Sequence, residues 1–359
     1  MSSKMRIKDI AEMAGVSPGT VDRVLHNRGD VSQASKEAVE LAISKVNYHP
    51  NIHLSAISLK RKFKIVVAIP KSYKGEYWGG ARDGILRAVE EYHNLNITCK
   101  FCYYNQFSLD SCRTTFETVI QLNPDAVIIG PTFKDETIVL ANRLKDNNIP
   151  FVYIDSMVEG TLPLAFFSTN LFSCGYLMAK LIASITPADS DYVLFQAIRV
   201  GDESANTTIA RKAGFMAYFD EHQMSDRVHR VSFSVLEPER NETLIKDYFE
   251  QNPNTRGVVV LNSRGYVISN YFKRHKIEHV KLICSDLTEK NEHEIKNGHI
   301  DFVLSQRPEM QGVSAMKTLI QHLTFGTVPK MENFMPLDII TKENLDYYVE
   351  TCETSTSFR

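Results

Sequence analysis

Gly19, Asp22, Arg23 and His26 recur at i, i+3, i+4 and i+7 within "SPGTVDRVLHNRG", so they share one face of a short helix. Val21, Val24 and Leu25 take the opposite face. One side packs and the other offers polar groups, as a helix reading base edges in a DNA major groove requires. Arg23 carries the planar fork that pairs with guanine O6 and N7, a contact that discriminates between bases by about 1–3 kcal/mol. Asp22 has three readings: it accepts from a cytosine amino group, it orients Arg23 as a hydrogen-bond partner, or it is a surface acid without a role. Because Gly19 offers no side chain, Asp22, Arg23 and His26 must carry more of any sequence preference.

Other spacings that could do chemistry do not survive their context. "GVSPG" (residues 15–19) has the form of a hydrolase nucleophile turn, but a helical pattern precedes it where a strand is required. "HKIEH" (275–279) sets two histidines on one helix face with no glutamate in the metalloprotease position. "CKFC" (99–102) sits in a strand-like run with no second pair at zinc-finger spacing. Asp155 and Asp286 lack the spacing of an acid/base dyad, and no phosphate-gripping loop occurs. The expectation is a binding protein with no metal, no cofactor and no catalytic residue.

Residues 5–47 read as three helices. Ile7, Ile10, Ala11 and Ala14 form the inner face of the first. Gly15 ends it, Ser17 caps the second and Pro18 fits its first position. The third begins near Ser32 and buries Val39, Ala42, Ile43 and Val46. "YHPNIHLSAISLKRK" (48–62) is too short and irregular for a stable helix of its own and reads as a linker that folds against a partner. Beyond it, β-branched runs alternate with amphipathic stretches: "KIVVAIP" (64–70), "DAVIIGP" (125–131) and "PFVYID" (150–155), then "DYVLFQAI" (191–198), "GVVVLNS" (257–263) and "KLICSD" (281–286). Strands apolar on both faces and separated by helices imply parallel sheets covered on both sides, here in two doubly wound sets.

Charge divides the chain in the same place. Residues 1–62 hold ten Lys/Arg against six Asp/Glu, whereas residues 63–359 hold 31 against 37. A basic head on an acidic body suggests that the head meets a polyanion. No apolar run is long enough to span a membrane, and the first residues lack a secretory apolar stretch, so a cytoplasmic location is expected. Six scattered cysteines read as buried thiols rather than a disulfide framework.

In open α/β sheets, ligands collect beyond the carboxyl ends of the strands. Those ends lead here into Thr132, Asp155, Asn262, Asp286 and Gln306, with Tyr77 and Trp78 following the first strand. Aromatic plates with planar polar forks suit a sugar, whose CH faces stack and whose paired hydroxyls bond bidentately; purines and amino acids remain open. Trp78 shares a stripe with Ala81, Ile85 and Tyr92, so core packing is its rival role.

Residues 6–51, "RIKDIAEMAGVSPGTVDRVLHNRGDVSQASKEAVELAISKVNYHPN", resemble the DNA-binding domain of the lactose-repressor (LacI/GalR) family of bacterial transcription regulators. The resemblance implies that Ser17, Thr20, Asn27, Ser32, Tyr48 and Asn51 hold backbone phosphates or the scaffold near them, and that Arg23 reads a base. It also implies that the linker becomes a hinge helix when two protomers meet on DNA, with Ile57 at the wedge position that unstacks a minor-groove step; packing on the neighbouring subunit is its alternative. The chain departs from the family at Leu54, where alanine is usual, at Asp22, where serine is usual, and at Pro18 and Gly19. The body resembles the periplasmic sugar-binding fold of the ribose-binding type through "RKAGF", "LNSRG", "CSD" and "LSQRPEMQG". That resemblance implies Arg211, Asn262, Asp286 and Gln306 as ligand contacts and Tyr77 and Trp78 as stacking aromatics, although Asn262-Ser263 replaces the usual Asn-Asp.

The sequence thus predicts an all-α helix-turn-helix domain (1–49), a hinge (50–62), a periplasmic-binding-protein-like α/β body (63–350) and a tail (351–359). The body's first subdomain is expected at about 63–166 and 288–326, its second at about 167–287 and 327–350. The expected partners are a pseudo-palindromic double-stranded operator, a sugar effector and a second copy of the chain, without a membrane. A transport receptor and a sugar-active enzyme are the rival classes.

Overall fold

The computed structural model describes residues 7–25, 31–46, 62–198, 206–234 and 237–348. The chain divides near Lys62 into two units. His26, Asn27, Tyr48, Asn51, Ile57 and the tail lie outside the described residues.

The first unit contains α1 (Ile7–Ala14), α2 (Pro18–Leu25) and α3 (Gln33–Val46). Ile10, Ala11, Val21, Val39 and Ala42 are buried together, with Ala14, Val16, Val24 and Ile43 packed around them. Gly15 turns the chain at φ 65°, a left-handed position that a side chain would strain. The Ser17 hydroxyl oxygen accepts the Thr20 amide at 3.1 Å and meets the Thr20 hydroxyl at 2.9 Å. Ser32 accepts the Ser35 amide at 3.2 Å in the same way. Each serine thus satisfies an amide that its helix leaves unpaired at the start, typically about 1 kcal/mol per cap.

The second unit is built on two six-stranded sheets. The first comprises β1 (Phe63–Pro70), β2 (Ile97–Tyr104), β3 (Ala126–Ile129), β4 (Phe151–Ile154), β5 (Ala165–Ser168) and β11 (Glu332–Phe334). The second comprises β6 (Asp191–Ile198), β7 (Val228–Ser234), β8 (Thr255–Val260), β9 (Lys281–Ser285), β10 (Phe302–Ser305) and β12 (Asp338–Ile340). The helices between them are α4 (Tyr77–Glu91), α5 (Leu109–Gln121), α6 (Lys134–Asp146), α7 (Leu171–Ser184), α8 (Asn206–Glu221), α9 (Pro238–Gln251), α10 (Gly265–His275), α11 (Glu289–Lys296) and α12 (Pro308–Phe325). Both sheets run in one order, β11-β5-β4-β3-β1-β2 and β12-β10-β9-β8-β6-β7, parallel except for β12 against β10. In each, the order reverses beside the first strand, so a crevice opens where helices leave for opposite faces. The central runs are buried throughout, Ile65 to Ile69 and Val258 to Val260 among them, whereas the edge strand β2 is buried only at Cys102 and Tyr104. No helix of the described residues is long and apolar enough to cross a membrane.

The subdomain borders fall elsewhere than the sequence predicts. Strand β10, expected in the first subdomain, pairs with β9 of the second sheet, Phe302 opposite Ile283 and Leu304 opposite Ser285. The chain returns to the first lobe only after Ser305, where α12 packs on α4 through Arg87–Glu309 at 2.6 Å and Lys317–Glu91 at 2.6 Å. Strand β11 joins the first sheet beside β5, so the last passage between lobes lies between Phe334 and Asp338 rather than near 327. The run "DFVLS" suits either sheet by composition; the apolar partners available at the edge of β9 decide its place.

Candidate functional site

Three strand ends converge in the second unit. β4 runs into Asp155 at φ 78°, β9 into Asp286 at φ 67°, and β10 into Gln306 and then Arg307 at φ 52°. Positive φ is tolerated by aspartate better than by most residues, and it bends each chain sharply where its sheet stops. The bends are held. The Asp155 amide donates to Phe167 O at 3.0 Å and to Gln311 Oε1 at 2.8 Å. The Asp286 amide donates to Leu304 O at 2.8 Å.

Gln306 joins the lobes: its Nε2 donates to Asp286 Oδ1 at 2.6 Å and its Oε1 accepts the Thr169 hydroxyl at 3.1 Å. Gln311 Nε2 donates to Gln306 O at 2.9 Å, and the Tyr77 hydroxyl donates to Gln311 Oε1 at 3.4 Å. Ser168 donates to Asp155 O at 2.5 Å. Asp155, through its backbone, and Asp286, through its carboxylate, one from each lobe, therefore belong to one hydrogen-bonded network that includes the first two interlobe passages.

Arg211, on α8, is only 3% exposed. Its Nη1 donates to Leu261 O at 2.8 Å, while Nε and Nη2 have no hydrogen-bond partner. Buried guanidinium donors without acceptors are costly, so these two donors suit an acceptor group brought to them. Burial pushes the Asp286 carboxyl above its ordinary value, opposed by the Arg211 charge and the bond from Gln306. Burial, and then the charges of Asp155 and Asp286, raise the Tyr77 hydroxyl well above its usual value, so it stays protonated and can donate.

Of the expected contacts, Tyr77, Asp155, Arg211, Asp286 and Gln306 are thus brought together. Asn262 follows Leu261, whose carbonyl holds Arg211, but its Oδ1 accepts the Arg264 amide at 3.0 Å and shapes the turn. Thr132 meets the Tyr104 hydroxyl at 2.9 Å. Trp78 is 6% exposed, packs edge-on to Tyr77 at 5.1 Å, and lies so close over Gly130 that a Cβ there would sit 2.4 Å from its ring. It thus packs against Tyr77 on one side and Gly130 on the other.

Gln311 and Asn291 are missed by sequence reading. Gln311 lies on the buried stripe of α12 with Gly312, Ala315, Met316, Leu319 and Ile320; a polar residue on an apolar stripe is the signal that could have found it. Asn291 is fully buried, donates to Asp286 O at 2.9 Å and Ser263 O at 3.1 Å, and so ties the ends of β8 and β9. Gln311→Leu strands the Gln306 carbonyl and removes one of the two acceptors of the Asp155 amide. It is expected to lower stability by about 1–3 kcal/mol, the usual effect of leaving a buried polar group unpaired, as read by urea denaturation.

On the first unit, Gly19 and Arg23 of α2 are exposed and Asp22 is half-buried, while Val21 is fully buried on the other side. The Ser17 hydroxyl serves as a helix cap, which accounts for the serine in "GVSPG". Among the described residues, no group of three or more His, Cys, Asp or Glu side chains could hold a metal, and His275 pairs with Glu242 at 2.7 Å.

A helix-turn-helix unit joined in one chain to a two-lobed α/β body, with polar groups of both lobes meeting at the strand ends, defines a DNA-binding protein that carries a small-molecule receptor. Comparison with known proteins agrees: residues 6–51 match the model of bacterial regulatory proteins of the lacI family, and residues 65–327 match the periplasmic binding protein domain. A protein from Bacteroides fragilis assigned as a LacI transcriptional regulator has a crystal structure that superposes with TM-score 0.77 and 32% identity over 80% of this chain and 100% of that one. The chain belongs to the lacI family of transcription regulators. Curated relatives include the regulator MalR of Streptococcus pneumoniae, 21% identical over 76% of this chain and 80% of the relative. Another is the ribose operon repressor of Lactococcus lactis, 24% identical over 94% and 97%.

Proposed function

We propose that the chain represses transcription as a homodimer on a pseudo-palindromic operator and that a sugar held between the two lobes of its body changes its affinity for DNA. The observation that carries the sugar reading is the pair of unpartnered donors on buried Arg211 beside two carboxylates. Hydroxyl groups meet both needs at once, since they accept from a guanidinium and donate to a carboxylate. The name of the Lactococcus lactis relative, a ribose operon repressor, points the same way. In this reading Tyr77, Asp155, Arg211, Asn262, Asp286 and Gln306 bind the effector, and nothing is turned over.

Coupling follows from where those groups sit. Thr169, Gln306 and Gln311 lie on or beside the interlobe passages, so a ligand that pulls on Asp155 and Asp286 also sets the passages. Such a ligand acts only through its different affinities for the DNA-competent and incompetent arrangements. A thermal-shift screen of sugars, nucleosides and amino acids on the full chain tests the reading, and a shift confined to the nucleosides or the amino acids would count against it.

On DNA, Arg23 reads a base from the exposed side of α2, and phosphate contacts by Ser17, Thr20 and Ser32 position the helix. Arg23→Ala is expected to lose about 1–3 kcal/mol of preference at one base pair per half-site while binding to random duplex barely changes. Asp22→Ser is expected to change the preferred base at the neighbouring position. Selection of operators from a randomised pool checks both; an unaltered preference with serine at 22 would mean that Asp22 reads nothing.

A further inference from the structure

Among the described residues the chain crosses between the lobes three times: between Ser168 and Leu171, between Ser305 and Pro308, and between Phe334 and Asp338. Each crossing is bonded to both others. The Met335 amide, on the third, donates to Ser168 O, on the first, at 2.7 Å. The Thr169 hydroxyl, on the first, donates to Gln306 Oε1, on the second, at 3.1 Å. Arg307 joins the second to the third: its Nε donates to Asp338 Oδ2 at 2.6 Å and its Nη2 to Asp338 Oδ1 at 2.7 Å. The first two links are single bonds between neutral groups. The last is a bidentate bond between charged groups, which is shorter, stronger and fixed in direction.

Arg307 stands astride the lobes. Its carbonyl accepts the Gln311 amide at 3.1 Å and so starts α12 of the first lobe, and its Nη1 lies 3.4 Å from Met310 Sδ on that helix. Its partner belongs to the second lobe, where Asp338 opens β12 opposite Ser305 of β10. The backbone at Arg307 has φ 52°, a conformation that a long side chain adopts at a cost and that persists where surrounding contacts fix it. A turn of one lobe against the other rotates these crossings, and a planar fork tolerates little rotation before one of its two bonds is lost. The two side chains are 34% and 19% exposed, so salt and water screen the pair only in part.

A second interlobe contact reports whether the arrangement holds. The Glu289 amide, at the start of α11 in the second lobe, donates to Gly75 O, before α4 in the first, at 2.9 Å. As the first residue of its helix, Glu289 has no carbonyl of α11 to donate to, so its protection comes from the other lobe.

We propose that Arg307 and Asp338 are positioning residues whose ion pair fixes the angle between the lobes and, through it, the operator affinity of the chain without effector. They act on the lobes rather than on a ligand. The link to the operator rests on the reading of the chain as a regulator whose lobe arrangements differ in affinity for DNA; it is independent of what fills the cleft, so a cleft that takes no sugar leaves it standing.

Hydrogen exchange of the full chain without added ligand, resolved to single amides by mass spectrometry, tests the clamp. Fluorescence anisotropy with an operator selected from a randomised pool tests its consequence. In Arg307→Gln and in Asp338→Asn the Glu289 amide should exchange at least about tenfold faster, the change expected on losing a hydrogen bond between charged groups. Two amides within single lobes should keep their parent rates: Val127, bonded to Pro150 O in the first, and Leu282, bonded to the Asp301 carboxylate in the second. Arg307→Lys, which keeps the charge but not the fork, should fall between, and it carries the same test if a neutral variant fails to fold. Operator affinity should move in the same direction in both neutral variants, by about fivefold or more, the lower end of coupling between distinct sites. Unchanged exchange at Glu289 overturns the clamp, and equal acceleration of all three amides overturns it too, since that is general destabilisation. Faster exchange at Glu289 alone with unaltered operator affinity overturns the link between lobe angle and DNA.

Discussion

Arg211→Met is expected to abolish the effector response while leaving effector-independent operator binding within about threefold, since Arg211 acts on DNA binding only through the ligand and distant residues without shared partners are otherwise additive. Methionine keeps the length and apolar stem of the side chain and removes the charge and all its donors. An acceptor placed at Nε and Nη2 then loses both donors, and Asp286 and Asp155 lose the cation they share. Removing one partner of a buried ionic group costs about 3–5 kcal/mol, so effector affinity should fall on the order of a hundredfold or more. The pH dependence gives a second signature. Burial already holds the folded-state pKa of Asp286 above its unfolded value, and removing Arg211 raises it further. A carboxyl raised in the folded state binds more protons there than when unfolded, so its contribution to stability is complete below the unfolded pKa. That contribution is lost as pH rises through the folded pKa. The variant should therefore gain stability on acidification more steeply than the parent, measured by urea denaturation at several pH values; parallel profiles would mean that Arg211 and Asp286 do not interact.

The sequence made the outline of this site legible and left its wiring hidden. Asp155, Asp286 and Gln306 could be found because each directly follows an apolar run that reads as a strand, and ligands gather at such ends in open α/β sheets. Arg211 has no such marker, being mid-helix, and is legible only through the resemblance of "RKAGF" to the ribose-binding type. Gln311 and Asn291 escaped because their task is to hold backbone groups contributed by other segments, Asp155 N and Gln306 O for the first, Asp286 O and Ser263 O for the second. Nothing local to either residue records those partners. Trp78 is legible in both ways, as a stacking aromatic by resemblance and as part of a stripe with Ala81 and Ile85, and all three are buried. Lobe membership is not legible at β10 because strand composition encodes burial, and both sheets bury their central strands.

Gly175→Ala should be among the most disruptive glycine-to-alanine changes in the body, although the residue has no side chain to offer a ligand or DNA. Helices α7 and α8 cross with their backbones in contact. A Cβ on Gly175 would lie 1.8 Å from Arg211 O and 2.9 Å from Phe215 N, and one on Gly214 would lie 1.9 Å from Phe172 O. These neighbours are main-chain atoms inside helices, packed over a core that includes Cys174, Met178, Phe215 and Phe219, so no rotamer change relieves the overlap. Glycine within a helix is otherwise unfavourable by about 1 kcal/mol relative to alanine. Propensity alone therefore predicts that Gly175→Ala stabilises. At Gly19 of α2, where the nearest atom to a new Cβ is Ser17 Oγ at 3.6 Å, that expectation should hold, with a change between neutral and about 1 kcal/mol stabilising. At Gly175 the clash should dominate: overpacking typically costs 1–3 kcal/mol and more where the backbone must move, so a loss of about 3 kcal/mol or more is expected. The same displacement carries Arg211, whose own carbonyl is the atom struck, so any variant protein that folds should bind effector weakly while its α2 still grips operator. Urea denaturation and effector titration of Gly175→Ala beside Gly19→Ala measure the two signs directly, and a stabilised Gly175→Ala would show that the α7–α8 crossing is looser than the structure has it.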